Sequence, residues 1–90
     1  MNNNPAQQSS VVELTLRHII EEITGNNPND IHLHADLVED LGISQIELLK
    51  IINAAQTKLE ISFGEKTKQE LLASDTVGDM VEIFEEEYEY

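Results

Sequence analysis

Three closely spaced polar residues, Ser44, Gln45 and Glu47, are the best candidates for chemistry in this chain. A serine hydroxyl forms a phosphodiester when an enzyme directs it at a phosphate, but a glutamine amide nitrogen is not a competent nucleophile for that displacement. Ser44 and Glu47 also have the spacing of a capping box, in which the serine oxygen accepts a hydrogen bond from the third helical amide. The sequence therefore predicts a helix start at Ser44 and limits covalent modification here to its hydroxyl.

Other residue combinations give weak signals for metal binding or catalysis. His32 and His34, with Asp36 close by, are potential metal ligands, but their spacing is short and no third strong ligand is evident. There is no Gly-rich phosphate loop, and no Ser/His/Asp order stands out from the background. With 18 acidic residues, carboxylate pairs are expected by chance. We expect no metal site, no catalytic residues and no enzymatic activity.

Helical spacing of apolar residues predicts the elements that position this motif. The first helix is expected over residues 10–24, beginning with another capping box. A long connection over residues 25–43 follows. Its scattered apolar side chains are expected to hold it across the bundle; they are Ile31, Leu33, Leu37, Val38, Leu41 and Ile43. The second helix is expected from residue 44 to about 59, a short helix over 66–72, and the last helix after a cap at 74–76. The predicted fold is all-α: a small bundle of three main helices and one short helix.

The apolar stripes of these helices predict the core. For the second helix, Ile46 and Ile51 lie off the predicted buried stripe, so this helix is expected to be apolar on more than one face. The two stripes predicted to be buried consist of Leu48, Leu49, Ile52, Ala55 and Leu59 in the second helix, and of Val77, Met80, Val81, Phe84 and Tyr88 in the last.

Length and charge restrict the class of protein further. Ninety residues predict one domain, over residues 10–88, with a flexible polar leader at 1–9 and an acidic tail end at 89–90. The absence of cysteine excludes disulfides and thiolate metal sites. No apolar run is long enough to span a membrane. A net charge of −13 disfavours nucleic acid as a partner and favours a soluble monomer that binds proteins. We expect the protein to be cytoplasmic.

Three segments with compatible spacing resemble the acyl carrier proteins. These segments are 37–42 (LVEDLG), 59–63 (LEISF) and 75–80 (DTVGDM), and the spacing between them needs no insertion. The resemblance covers about residues 10–88. It implies a helical bundle that carries an acyl chain on 4′-phosphopantetheine and presents it to enzymes, with the second helix as the recognition surface.

Residue by residue, the resemblance departs at the attachment site. Aligned without gaps, Ser44 falls on the family's aspartate, Ile46 on its leucine, and Gln45 on the serine that carries the prosthetic group. The usual attachment is therefore not expected. Modification of Ser44 is the alternative, but a shift of one helical residue rotates a side chain by about 100°.

The second helix also lacks the acidic surface that carrier proteins usually present to their partners. Residues 44–58 contain one acid, Glu47, against Lys50 and Lys58, while six acids lie in the last twelve residues. The residues expected to contact a partner are Ile46, Glu47, Lys50 and Ile51.

These observations favour a divergent carrier that docks to a transferase, ligase or synthase of acyl, fatty-acid or polyketide-type thioester metabolism and lacks the usual phosphopantetheine. One alternative is an active carrier with the group on Ser44. The other is a degenerate carrier fold that serves purely as an interaction or regulatory module.

Overall fold

A computed structural model describes residues 10–88, and this part of the chain contains four α-helices. The predicted all-α fold is confirmed. The expected leader (1–9) and tail end (89–90) lie outside the described residues. Within the described part, no helix is both long and apolar enough to cross a membrane. The helices are α1 (Val11–Thr24), α2 (Gln45–Leu59), α3 (Glu65–Leu72) and α4 (Val77–Glu87), and a 3-10 turn, Pro28–Asp30, lies between α1 and α2.

Each helix of the bundle packs against two others. Helix α1 contacts α2 and α4, and α3 contacts the same two helices. Among the described residues no Cα atom of α2 lies within 8 Å of one in α4, so these two helices are diagonal neighbours. The core between the four helices is entirely apolar among the described residues. Each fully buried Leu, Ile or Phe contributes roughly 1.5–3 kcal/mol by transfer from water. Its largest fully buried side chains are Phe84, Leu16, Ile19, Ile20, Ile31, Leu37, Ile51, Ile52, Leu71 and Met80.

Helix α1 begins and ends with local hydrogen bonds that its sequence predicts in part. Ser10 is the N-cap, and its Oγ accepts a hydrogen bond from the Glu13 amide at 3.0 Å. The Glu13 carboxylate instead lies 3.6 Å from the Arg17 guanidinium, so the ion pair takes the place of the reciprocal half of the expected capping box. Gly25 ends the helix with φ +78°, a left-handed conformation that glycine adopts without steric cost.

The long connection between α1 and α2 is held in place by its apolar side chains, as predicted. Ile31, Leu37, Leu41 and Ile43 are buried in the core. By contrast, Val38 is 68% exposed, so it does not help to hold the connection. Leu33 is also exposed, and Ala35, which the sequence reasoning missed, is buried.

Backbone hydrogen bonds tie the same connection to the start of α4. The Val77 amide donates to the Ala35 carbonyl at 3.1 Å, and the Gly78 amide donates to the Leu33 carbonyl at 2.9 Å. Between them, Asp36 and Thr76 form an isolated antiparallel bridge. These bonds fix the segment that leads into α2, and therefore fix where α2 begins.

Helix α2 buries a stripe that differs from the predicted one at two positions. Measured from Leu48 at about 100° per residue, Ile51 lies about 60° to one side and Leu49 about 100° to the other. Ile51 is accordingly fully buried, whereas Leu49 is only partly buried at the edge. The expected surface position of Ile51 was wrong, because the buried face is centred between Ile51 and Ile52. The last stripe was predicted correctly: its residues through Phe84 are buried, and Tyr88, the C-cap of α4, is partly buried against the core.

Candidate functional site

The start of α2 is built by a reciprocal pair of hydrogen bonds between Ser44 and Glu47. Ser44 is the N-cap, with extended backbone angles of φ −80° and ψ 167°. Its Oγ accepts a hydrogen bond from the Glu47 amide at 3.1 Å, and Glu47 Oε1 accepts one from the Ser44 amide at 3.0 Å. The predicted capping box is therefore present, and the hydroxyl oxygen of Ser44 has a structural partner.

Gln45 is the first residue of α2, and its side chain is exposed. Covalent attachment of phosphopantetheine requires a hydroxyl oxygen that attacks the pantetheine phosphate of coenzyme A and displaces adenosine 3′,5′-bisphosphate. The carboxamide of Gln45 has none, so the residue does not fit that group. At this turn the Ser44 Oγ supplies the hydroxyl, which is exposed but accepts the cap hydrogen bond.

The acidic turn before α2 directs its carboxylates at its own backbone. Asp36 Oδ1 accepts hydrogen bonds from the amides of Val38 at 3.0 Å and Glu39 at 2.8 Å. Asp40 Oδ2 accepts a hydrogen bond from the Asp36 amide at 2.8 Å. Gly42 then takes a left-handed φ of +64°, which turns the chain toward the N-cap of α2. Two of the three acids here therefore stabilise the turn that delivers Ser44 and Gln45.

The face of α2 opposite the core is exposed along its length. Ile46 is 68% exposed, and the exposed residues Lys50, Asn53 and Thr57 follow at spacings of four, three and four. We call these four residues the outer stripe. Glu47 lies beside it, partly buried and engaged in the capping box. Of the four residues expected to contact a partner, Ile46 and Lys50 are thus on the outer stripe, Glu47 borders it, and Ile51 is in the core.

Val38 is a candidate surface residue that the sequence reasoning misplaced. It precedes the motif and, with Ile46, has the highest exposure of the large apolar side chains described. Its neighbour Leu37 is buried, and the sequence alone does not distinguish the two.

The surroundings of the motif give no sign of a metal centre or of an enclosed substrate site. Within residues 10–88, no three His, Asp or Glu side chains are grouped so as to hold a metal ion. His32 and His34 are exposed, with ring centroids 6.5 Å apart. Three surface cavities, of about 470, 240 and 230 Å³, are lined by residues outside 39–50. None of these three cavities borders the start of α2.

Comparison with known proteins points to one family. The family described as "Phosphopantetheine attachment site" matches residues 15–84. An acyl carrier protein of Rhodococcus erythropolis is 37% identical over 76 residues, which cover 83% of this chain and 77% of that protein. The family match contains the whole of α2, α3 and the turn that precedes Ser44.

Proposed function

Since the chain belongs to the acyl carrier protein family, we propose that it docks to partner enzymes as a carrier fold without the usual phosphopantetheine attachment. Members of this family are carrier domains, so the chain is not an enzyme. Their prosthetic group is 4′-phosphopantetheine, and we propose that this chain lacks its usual attachment.

The observation that carries the proposal is the chemistry of the first two residues of α2. In the gapless alignment with the family motif, Gln45 stands where the attachment serine is expected, and its carboxamide has no hydroxyl to modify. Ser44, one position earlier, uses its oxygen as the helix cap. A transferase that reads both the helix surface and the serine meets a hydroxyl on the non-helical cap residue, ahead of the first turn of α2.

The proposed partners are enzymes of acyl, fatty-acid or polyketide-type thioester metabolism, of the transferase, ligase or synthase classes. Carrier proteins work by docking to such enzymes, and the exposed Ile46 and Lys50 supply a contact surface at the end of α2 that enzymes approach. We further propose that the protein is a monomer, because a net charge of −13 opposes self-association. We also propose that it acts in the cytoplasm.

One observation favours a second candidate, an active carrier with phosphopantetheine on Ser44. The Ser44 side chain is exposed, and a hydroxyl that accepts one hydrogen bond still has a hydrogen to lose. The test is the intact mass of the protein after incubation with coenzyme A and a broad-specificity phosphopantetheinyl transferase. We expect no added mass under conditions that convert an ordinary acyl carrier protein completely.

The Ser44→Ala variant is the matched control. One added phosphopantetheine on the unaltered protein, absent from Ser44→Ala, would establish the active carrier and contradict the proposal. The partner class has its own test, which is co-purification from the native cells. Recovery of ketosynthases, ligases or acyltransferases supports the docking function, whereas recovery only of proteins outside thioester metabolism favours a regulatory module.

A further inference from the structure

The outer stripe of α2 is a continuous surface with a definite chemistry. Measured from Leu48 at about 100° per residue, Ile46, Lys50, Asn53 and Thr57 all lie within about 40° of the direction opposite the core. All four are exposed. The stripe therefore has one large apolar side chain at its start, one cation a turn later, and neutral polar groups after it.

No acidic residue belongs to this stripe. The nearest acid on the helix is Glu47, whose carboxylate accepts a hydrogen bond from the Ser44 amide and is held beside the cap. In the turn before α2, Asp40 is bound to the Asp36 amide, and Glu39 is an exposed acid ahead of the helix. Lys50 forms no ion pair within the described part of the chain. Lys50 is thus the one charged residue of the stripe itself, in a protein of net charge −13.

The negative charge is concentrated on the helix diagonal to this stripe. Helix α4 contains Asp79, Glu82, Glu85, Glu86 and Glu87, and none of its Cα atoms lies within 8 Å of one in α2. Packed helices lie about 8–10 Å apart, so diagonal axes are about 13 Å apart, and the outer stripe is farther still from α4. Screening in physiological salt acts over about 8 Å. A partner that meets the outer stripe is therefore governed by Lys50 and Ile46, with little contribution from the acids of α4.

We propose that the partner surface that meets α2 contains an apolar pocket for Ile46 bordered by a carboxylate for Lys50. This inference rests on the proposed docking function and specifies its chemistry. A partner with a basic surface is drawn instead to α4, so charge complementarity separates the two helices as binding surfaces. The selected partner is an enzyme whose docking face is acidic and apolar.

Two fluorescent helical peptides with the same leucine face test this chemistry, one with glutamates and one with lysines on the polar face. Binding to the full-length protein is measured by fluorescence anisotropy in physiological salt, and the contact site is mapped by amide chemical shifts. We expect the acidic peptide to shift the amides of the outer stripe, and the basic peptide to shift those of α4.

Matched variants identify the residues responsible. Lys50→Glu should weaken binding of the acidic peptide at least about threefold, while Lys66→Glu on α3, with the same change in net charge, should have a smaller effect. Ile46→Ala should weaken it about tenfold, and Val11→Ala, an exposed apolar residue on α1, should not.

Three results would overturn the inference: no binding of the acidic peptide, equal effects of Lys50→Glu and Lys66→Glu, or binding of the basic peptide at the outer stripe. None of them bears on whether phosphopantetheine is attached. The mass measurement tests the proposed function separately, so the two failures can be told apart.

Discussion

Replacing Ser44 by alanine tests whether this hydroxyl is a structural cap. The substitution removes the oxygen that accepts a hydrogen bond from the Glu47 amide at 3.1 Å. It leaves the reciprocal bond, which the Ser44 amide donates to Glu47 Oε1, unsupported. Because the site is exposed, water replaces part of the lost bonding, and the expected cost is about 1 kcal/mol of unfolding free energy. In a domain of this size, this lowers the melting temperature by about 4–8 °C.

The assay is urea unfolding followed by helical circular dichroism, with the slope of the transition compared between variants. Ser44→Asp keeps an oxygen acceptor at the cap and should retain nearly all of the stability. Ser62→Ala removes an exposed serine between α2 and α3 and should change it by less than about 0.5 kcal/mol. If Ser44→Ala matches the unaltered protein, or if Ser44→Asp loses as much as Ser44→Ala, Ser44 is not the cap described here.

Three further substitutions test the core, the surface and the attachment position. Ile51→Asp should unfold the protein because it places a charge in the core, whereas Ile46→Asp should leave the melting temperature nearly unchanged; equal effects would contradict the assigned faces of α2. Phe84→Ala should lower the unfolding free energy measured in urea by about 3–5 kcal/mol. Phe84 is fully buried, and its ring lies edge-on to that of Phe63 with the centroids 5.7 Å apart. A decrease below about 1 kcal/mol would refute this packing. Gln45→Ser should be modified poorly by a standard transferase, judged by intact mass, because the outer stripe lacks acids; efficient conversion would show that Gln45 alone prevents attachment.

The elements of this fold were predictable because their local signals agree with their packing. Capping at Ser44 and the αL glycine after α1 depend on neighbouring residues only, and helical periodicity depends on one turn of chain. The starts of α2 and α3 were therefore predicted to within one residue. Burial of Ile31 and Leu37 followed from their apolar character in a long connection.

The errors arose where three-dimensional contacts decide the outcome. The face that α2 turns to the core is set by its packing against α1 and α3. The α2 sequence alone therefore did not show that Ile51, and not Leu49, is fully buried. Val38 and Leu37 are adjacent apolar residues, and bonds to distant partners, such as the one that the Leu37 amide donates to the Asp75 carbonyl, hold the turn in which Leu37 is buried. The error at Glu13 is local instead: its carboxylate pairs with Arg17, four residues later on the same helix, and not with the Ser10 amide.

The intact mass of this chain, isolated from the cells that naturally produce it, tests the central claim most directly. Native cells supply the cognate transferase and coenzyme A, so the measurement does not depend on the choice of a substitute enzyme. We predict the mass of the unmodified polypeptide. A mass increased by one phosphopantetheine, with the group located on Ser44 by fragmentation, would contradict the claim that this carrier fold acts without its prosthetic group.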